Sequence, residues 1–232
     1  MTGRTLIFRG LIHFRRTHVG VVLGAAVAAA VLIGALLVGD SVRASLREQA
    51  LARVGRVGAA LIVHERYVGA DLADRVAAEL GAASVAPVLS LPAFASVPGR
   101  DAKAGIVNAY GVDERFFALG PSGEGTAPGP GQALLSDRLA SQLGVSAGDT
   151  ILVRVEKPSY LPRDMVMSDI DEVSFGVRVT VAGTVADGGF GRFGLSATQV
   201  PPFNVFLSLP WMQQELELPG RANMILVGGA AA

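Results

Sequence analysis

The residues with the spacing of a chemical site are the glycines of GGFGRFG, where Gly189, Gly191 and Gly194 spell G-x-G-x-x-G directly after an apolar, strand-like run. In a dinucleotide-binding turn such glycines let the backbone approach a pyrophosphate held at the N-terminus of the next helix. Here LSATQVPPFN follows, and Pro201 with Pro202 forbids that helix. A flexible glycine loop is expected instead. The sequence contains no G-x-x-x-x-G-K-[ST], so the chain is not expected to hydrolyse ATP itself. Ser196 lies in GLSAT rather than in a G-x-S-x-G elbow, and His64 has no spaced partner, which argues against a serine hydrolase. Asp169, Asp171 and Glu172 lack the glycine and the spacing of a calcium loop and read as a solvated acidic turn. Cysteine is absent, which removes disulfides, thiolate catalysis and Cys-ligated metals together. No catalytic, cofactor-binding or metal-ligating residue is therefore expected.

Charge adds no substrate. Lys and Arg number 20, Asp and Glu 20, so no bulk field favours nucleic acid or an acidic ligand. The dominant feature is Val19 to Gly39, VGVVLGAAVAAAVLIGALLVG, which carries no charged or strongly polar side chain. As a helix it is about 31 Å long, enough for a hydrocarbon core of about 30 Å. A signal-peptide core is shorter, about 7–15 residues, and ends in a small-residue cleavage site; this run leaves through Asp40, Ser41, Val42 and Arg43. Arg4, Arg9, Arg15 and Arg16 precede it without an acid, so the N-terminus is expected in the cytoplasm. Gly20 and Gly24 form GxxxG, and Ala30 with Gly34 continues small residues at the same spacing. These four are the candidates for close packing against other membrane helices.

The elements around this span follow from periodicity. Residues 1–18 form a basic cytoplasmic segment, within which Thr5 to His18 places Ile7, Leu11 and Phe14 opposite Arg9, His13 and Arg16 as an interfacial helix would. Residues 40–57 repeat Val42, Leu46, Ala50 and Val54 and predict a helical stalk. From residue 58 the elements shorten: a buried strand over Ala59 to Val63, a helix over Asp71 to Leu80 stopped by Gly81, strand material over Val85 to Val97 broken by Pro87 and Pro92, and a strand over Ala104 to Val112. PSGEGTAPGPG, residues 121–131, reads as a linker that divides an α+β subdomain, 58–120, from a second one, 132–232. The second contains a helix over Ser136 to Leu143 capped by Ser136 and stopped by Gly144, a strand over Ile151 to Val155, and an exposed loop over Lys157 to Glu172. It continues with a strand over Val177 to Val185 with Val177, Val179 and Val181 inward, a strand over Val205 to Leu207, a helix over Ser208 to Leu216 and a last strand over Met224 to Val227. The predicted fold is an extracytoplasmic α+β domain on a single N-terminal transmembrane helix.

THVGVVLGAAVAAAVLIGALLVGDSVRASL, ALLSDRLASQLGVSAGDTILV and GRFGLSATQVPPFNVFLSLPWMQQELELPGRANMILV together resemble the N-terminal portion of FtsX/MacB-type permease subunits of ABC transporters. The resemblance covers nearly the whole chain. It implies a cell-membrane protein, not an enzyme, whose first span and stalk carry movement from a separate cytoplasmic ATPase to an outer core domain, for export or extraction of a substrate. The partners it implies are that ATPase, further permease spans or a second permease copy, an extracytoplasmic adaptor protein and membrane lipids, with no nucleic acid and no cofactor. Family members continue into further spans, whereas this sequence stops at VGGAAA, as a fragment, a truncated gene or a split subunit would. The alternative is a single-pass anchored binding or adaptor module that moves nothing.

Overall fold

The computed structural model describes residues 12–63, 66–81, 84–123, 125–156, 174–196 and 200–229. Most of the interfacial segment, His64, and the loop with Asp169, Asp171 and Glu172 lie outside them. Helix α1 runs unbroken from Arg15 to Val54, so the expected span and stalk are one element of about 60 Å. No proline interrupts it and none of its residues is buried. It stops at Gly55 rather than at Val57, because Gly55 turns to φ +59° and its N–H donates to the Leu51 carbonyl at 3.0 Å. Contacts divide the chain into residues 1–49 and residues 50–232.

Among the described residues of the second unit ten strands and several short helices follow in order. They are β1 (Val57–Ile62), β2 (Val68–Gly69), α2 (Leu72–Leu80), β3 (Val85–Ser96), β4 (Lys103–Val112), α3 (Glu114–Ala118), β5 (Gln132–Ser136), α4 (Asp137–Leu143), β6 (Thr150–Glu156), β7 (Ser174–Val185), β8 (Phe203–Ser208), α5 (Leu209–Glu215), β9 (Arg221–Ala222) and β10 (Met224–Gly228). Six of these strands form a ring, β3-β4-β8-β5-β7-β6, which closes because β6 returns to pair with the end of β3. Alternation explains the filling. Ile151, Val153 and Val155 of β6 and Val177, Val179 and Val181 of β7 point inward and are buried. They meet Leu91, Ala93, Val107, Ala109, Ala133, Leu135, Val205 and Leu207 in one core. So narrow a ring leaves room only for side chains, and its alanines suit that space. Helices α4 and α5 add Leu139, Leu143, Leu209 and Met212 to the same core.

Strand β3 organises both layers. Its residues 85–88 pair with β10, 89–96 with β4, and 93–96 with β6. The prolines expected to break it do not, and the pairing explains why. Pro87 precedes the β4 pairing, and Pro92 falls after β10 has ended and before β6 begins, so each has a neighbouring strand on one side only. A missing N–H costs nothing on an open side. Between the two, Ser90 donates its N–H to Asn223 Oδ1 and accepts from Asn223 Nδ2, both at 2.7 Å. The Asn223 amide thus stands in for a strand residue where β10 gives way to β6.

Two expectations need correction. The segment 121–131 is not a seam, since β3 and β4 pair with β10, β6 and β8 from beyond it, and each core draws on both sides. Nor is Ala59–Val63 a buried strand. Its residues 59–62 belong to β1, which among the described residues has β10 as its one neighbour in the sheet, and Leu61 and Ile62 stay 46% and 40% exposed. A continuous apolar run predicts burial on both faces but carries no information about which edge is left without a partner.

Candidate functional site

Among the described residues no His, Cys, Asp or Glu gathers in a group that could hold a metal. The G-x-G-x-x-G does not open a helix. Asp187–Gly189 forms a single 3-10 turn after β7, residues 190–196 form turns and bends without a helix, and Pro201 and Pro202 directly precede β8. The glycines instead allow close backbone packing: a side chain on Gly191 would overlap the Val185 carbonyl. The loop's use is to deliver two aromatic rings. Phe190, with φ +80°, and Phe193 are buried in a cluster with Tyr110, Phe116, Phe117 and Phe206, and the Phe190 and Phe116 ring centres lie 4.8 Å apart. Phe116 and Phe117 come from α3, a short helix that the sequence reading missed; Asp113 Oδ1 caps it by accepting the Arg115 N–H at 3.0 Å. Asn204, fully buried on β8, fastens the loop through Nδ2 to the Gly191 and Phe193 carbonyls at 3.1 and 2.8 Å. Burial pushes the Tyr110 hydroxyl well above the usual phenol range, opposed by a hydrogen bond with Ser90. The cluster is therefore neutral and offers no acid or base at ordinary pH.

This cluster is built against the end of α1. A Cβ on Gly55 would lie 2.7 Å from the Leu119 carbonyl oxygen, 3.0 Å from the Phe190 ring and 3.1 Å from Pro121. The next residue, Arg56, donates its N–H to the Leu119 carbonyl at 2.8 Å, and its own carbonyl accepts from Gly229 at 2.8 Å. Within two residues the backbone leaving the helix is bonded to the turn after α3 and to the turn after β10. The junction thus ties Gly55 and Arg56 directly to the aromatic cluster and to the end of β10. The sequence did carry a signal for it: a glycine directly after a helix with Arg53 in the last turn is a C-terminal stop.

The four packing candidates lie elsewhere on α1. At 100° per residue Gly20, Gly24, Ala30 and Gly34 fall within an arc of about 120° on one side of the helix. A Cβ on Gly20, Gly24 or Gly34 would meet nothing within 4 Å, and Ala30 is exposed, so this side has room for another backbone. Helix α1 is also the one helix among the described residues that is long and apolar enough to cross a membrane.

Residues 19–230 match the family described as the MacB-like periplasmic core domain. Among solved structures the chain is similar to the periplasmic region of MacB from Actinobacillus actinomycetemcomitans, with 14% identity and a TM-score of 0.44 over 69% of this chain and 64% of that one. It is also similar to the extracellular domain of the noncanonic ABC-type transporter YknZ from Gram-positive bacteria, with 9% identity and a TM-score of 0.44 over 72% and 75%. The chain thus spans just under two thirds of the MacB region it matches. No curated protein sequence matches it significantly.

Proposed function

The chain belongs to the family of the MacB-like periplasmic core domain, and from that membership we propose that it is the permease subunit of an ABC transporter. In this reading a separate cytoplasmic ATPase drives a movement that α1 carries to the outer domain, which exports or extracts a substrate by mechanotransmission. The observation that supports it is the continuity of α1 from the apolar run to the Gly55 junction. A helix of about 60 Å without proline is stiff along its axis, and a lock at its end turns axial motion into a push on Leu119, Phe190 and β10. Gly20, Gly24, Ala30 and Gly34 form the face through which the span meets further permease spans or a second copy.

The test is assembly. The full chain, tagged and extracted in mild detergent, is expected to co-purify with an ABC ATPase and to stimulate its ATP turnover. Gly20→Leu/Gly24→Leu should insert normally, since leucine favours the bilayer, yet lose assembly by holding the backbones apart. Equal assembly and stimulation by wild type and variant would remove this face from the mechanism, and the absence of any ATPase partner would leave an anchored adaptor module as the reading.

Orientation is tested separately. With the N-terminus in the cytoplasm and residues 40–232 outside, as the arginine asymmetry directs, an impermeant thiol reagent on intact cells should label a cysteine at Ser122 and spare one at Thr5. The reverse pattern would invert the topology.

A further inference from the structure

Where the ring's outer wall meets the hairpin after β3, a recess of 340 Å³ opens between Val97, Pro98, Arg100, Asp149, Thr150 and Arg178. Its two arginines are not spent on carboxylates, as several other basic residues of this unit are. Arg75, Lys103, Arg115 and Arg192 each face a carboxylate. Arg100 and Arg178 face none among the described residues, although the chain has as many acids as bases. Arg178 points outward because Val177 and Val179 beside it on β7 point in. Arg100 spends one bond on the Gly144 carbonyl, Nη1 to oxygen at 3.3 Å, and keeps its other N–H donors. The one carboxylate of the lining is already committed, as Asp149 Oδ2 accepts the Ser146 N–H at 2.8 Å and closes the turn before β6.

We propose that this recess binds a monoanionic phosphoryl group, a phosphodiester, held by the guanidinium groups of Arg100 and Arg178 with the Thr150 hydroxyl as a third donor. Two cations set against one carboxylate leave a single positive charge for the ligand to neutralise. A planar carboxylate fills one guanidinium fork, whereas a tetrahedral phosphoryl group offers oxygens to donors arriving from different directions. Val97 and Pro98 give the recess an apolar side against which the ester carbons pack, and its volume is at the lower end for a ligand site, which suits a headgroup-sized fragment.

The same phosphodiester could reach the site on a free small molecule or on a phospholipid headgroup, and two probes separate these sources. Dimethyl phosphate and dihexanoyl phosphatidylglycerol are titrated separately into the full chain in uncharged detergent, with line broadening in the phosphorus NMR spectrum as the readout and sodium acetate holding ionic strength. Broadening of both identifies the phosphodiester alone as the ligand, and broadening of the lipid alone identifies the headgroup with its chains. In either case Arg178→Gln and Arg100→Gln should each weaken binding about tenfold. Arg178→Lys, which keeps the charge but loses the fork, should be weakened as well, and Arg75→Gln should change nothing. Both arginines are exposed, so the melting temperature of each variant should equal that of the wild type. No broadening of either probe by the wild-type chain, or equal broadening by the Arg100→Gln/Arg178→Gln chain, overturns the proposal.

Discussion

Alanine in place of Gly55 is expected to destabilise the outer domain by about 2–5 kcal/mol, made up of the left-handed backbone penalty and the overlap of a new methyl group with fixed neighbours. The overlap cannot be relieved by a rotamer change, since the nearest atom, 2.7 Å away, is the Leu119 backbone carbonyl and the next belongs to the buried Phe190 ring. For a domain of this size the melting temperature should fall by roughly 5–15 °C. Gly81, at the end of α2, provides the control, because its φ is +57° but a Cβ there would meet nothing within 4 Å. Gly81→Ala should show the backbone penalty alone, about 1–2 kcal/mol. Equal losses at the two positions would mean that the helix end is not locked against the cluster.

Leu46→Pro is expected to produce the largest functional loss at little cost to the outer domain. Residue 46 lies inside α1 and is 48% exposed, so the change removes helix bonds without creating a cavity. Locally the interruption costs about 3 kcal/mol and bends the helix. If α1 transmits movement as a rigid element, assembly with the ATPase should persist, the domain should melt as before, and ATP turnover should no longer change the hydrogen exchange of β10 and the loop around Phe190. Leu46→Ala, which keeps the helix, should behave as wild type. Normal coupling in the proline variant would show that the movement bypasses the stalk.

What could be read from the sequence and what could not divides along the range of the interactions. Helix ends set by neighbours in the chain were legible: Ser136 caps α4 through the Leu139 N–H, Gly81 stops α2, and Val177, Val179 and Val181 point inward as their alternation requires. Ring closure was not, because the pairing of β3 with β6 joins residues that no local pattern relates. The same blindness turned a continuous strand with prolines into a broken one, since the open sides that tolerate Pro87 and Pro92 are defined by distant strands. In the glycine loop it was legible that Gly189 and Gly191 open no helix. Its structural use was not, because Phe190 and Phe193 find their ring neighbours on α3 and β4. The Gly55 junction was half legible, the stop from its glycine and the lock only from the contacts.

The pairing of β1 with β10 also governs the order of events during biosynthesis. β1 leaves the ribosome early, yet its one partner in the sheet appears roughly 160 residues later, a delay on the order of 10–30 s at ordinary elongation rates. Through that interval Ala59, Ala60, Leu61 and Ile62 have no native strand to pair with, and the first four residues of β3 wait for the same β10. This edge of the sheet therefore cannot form progressively as the chain emerges, although the six-stranded ring can close before it. The edge is completed when β10 arrives.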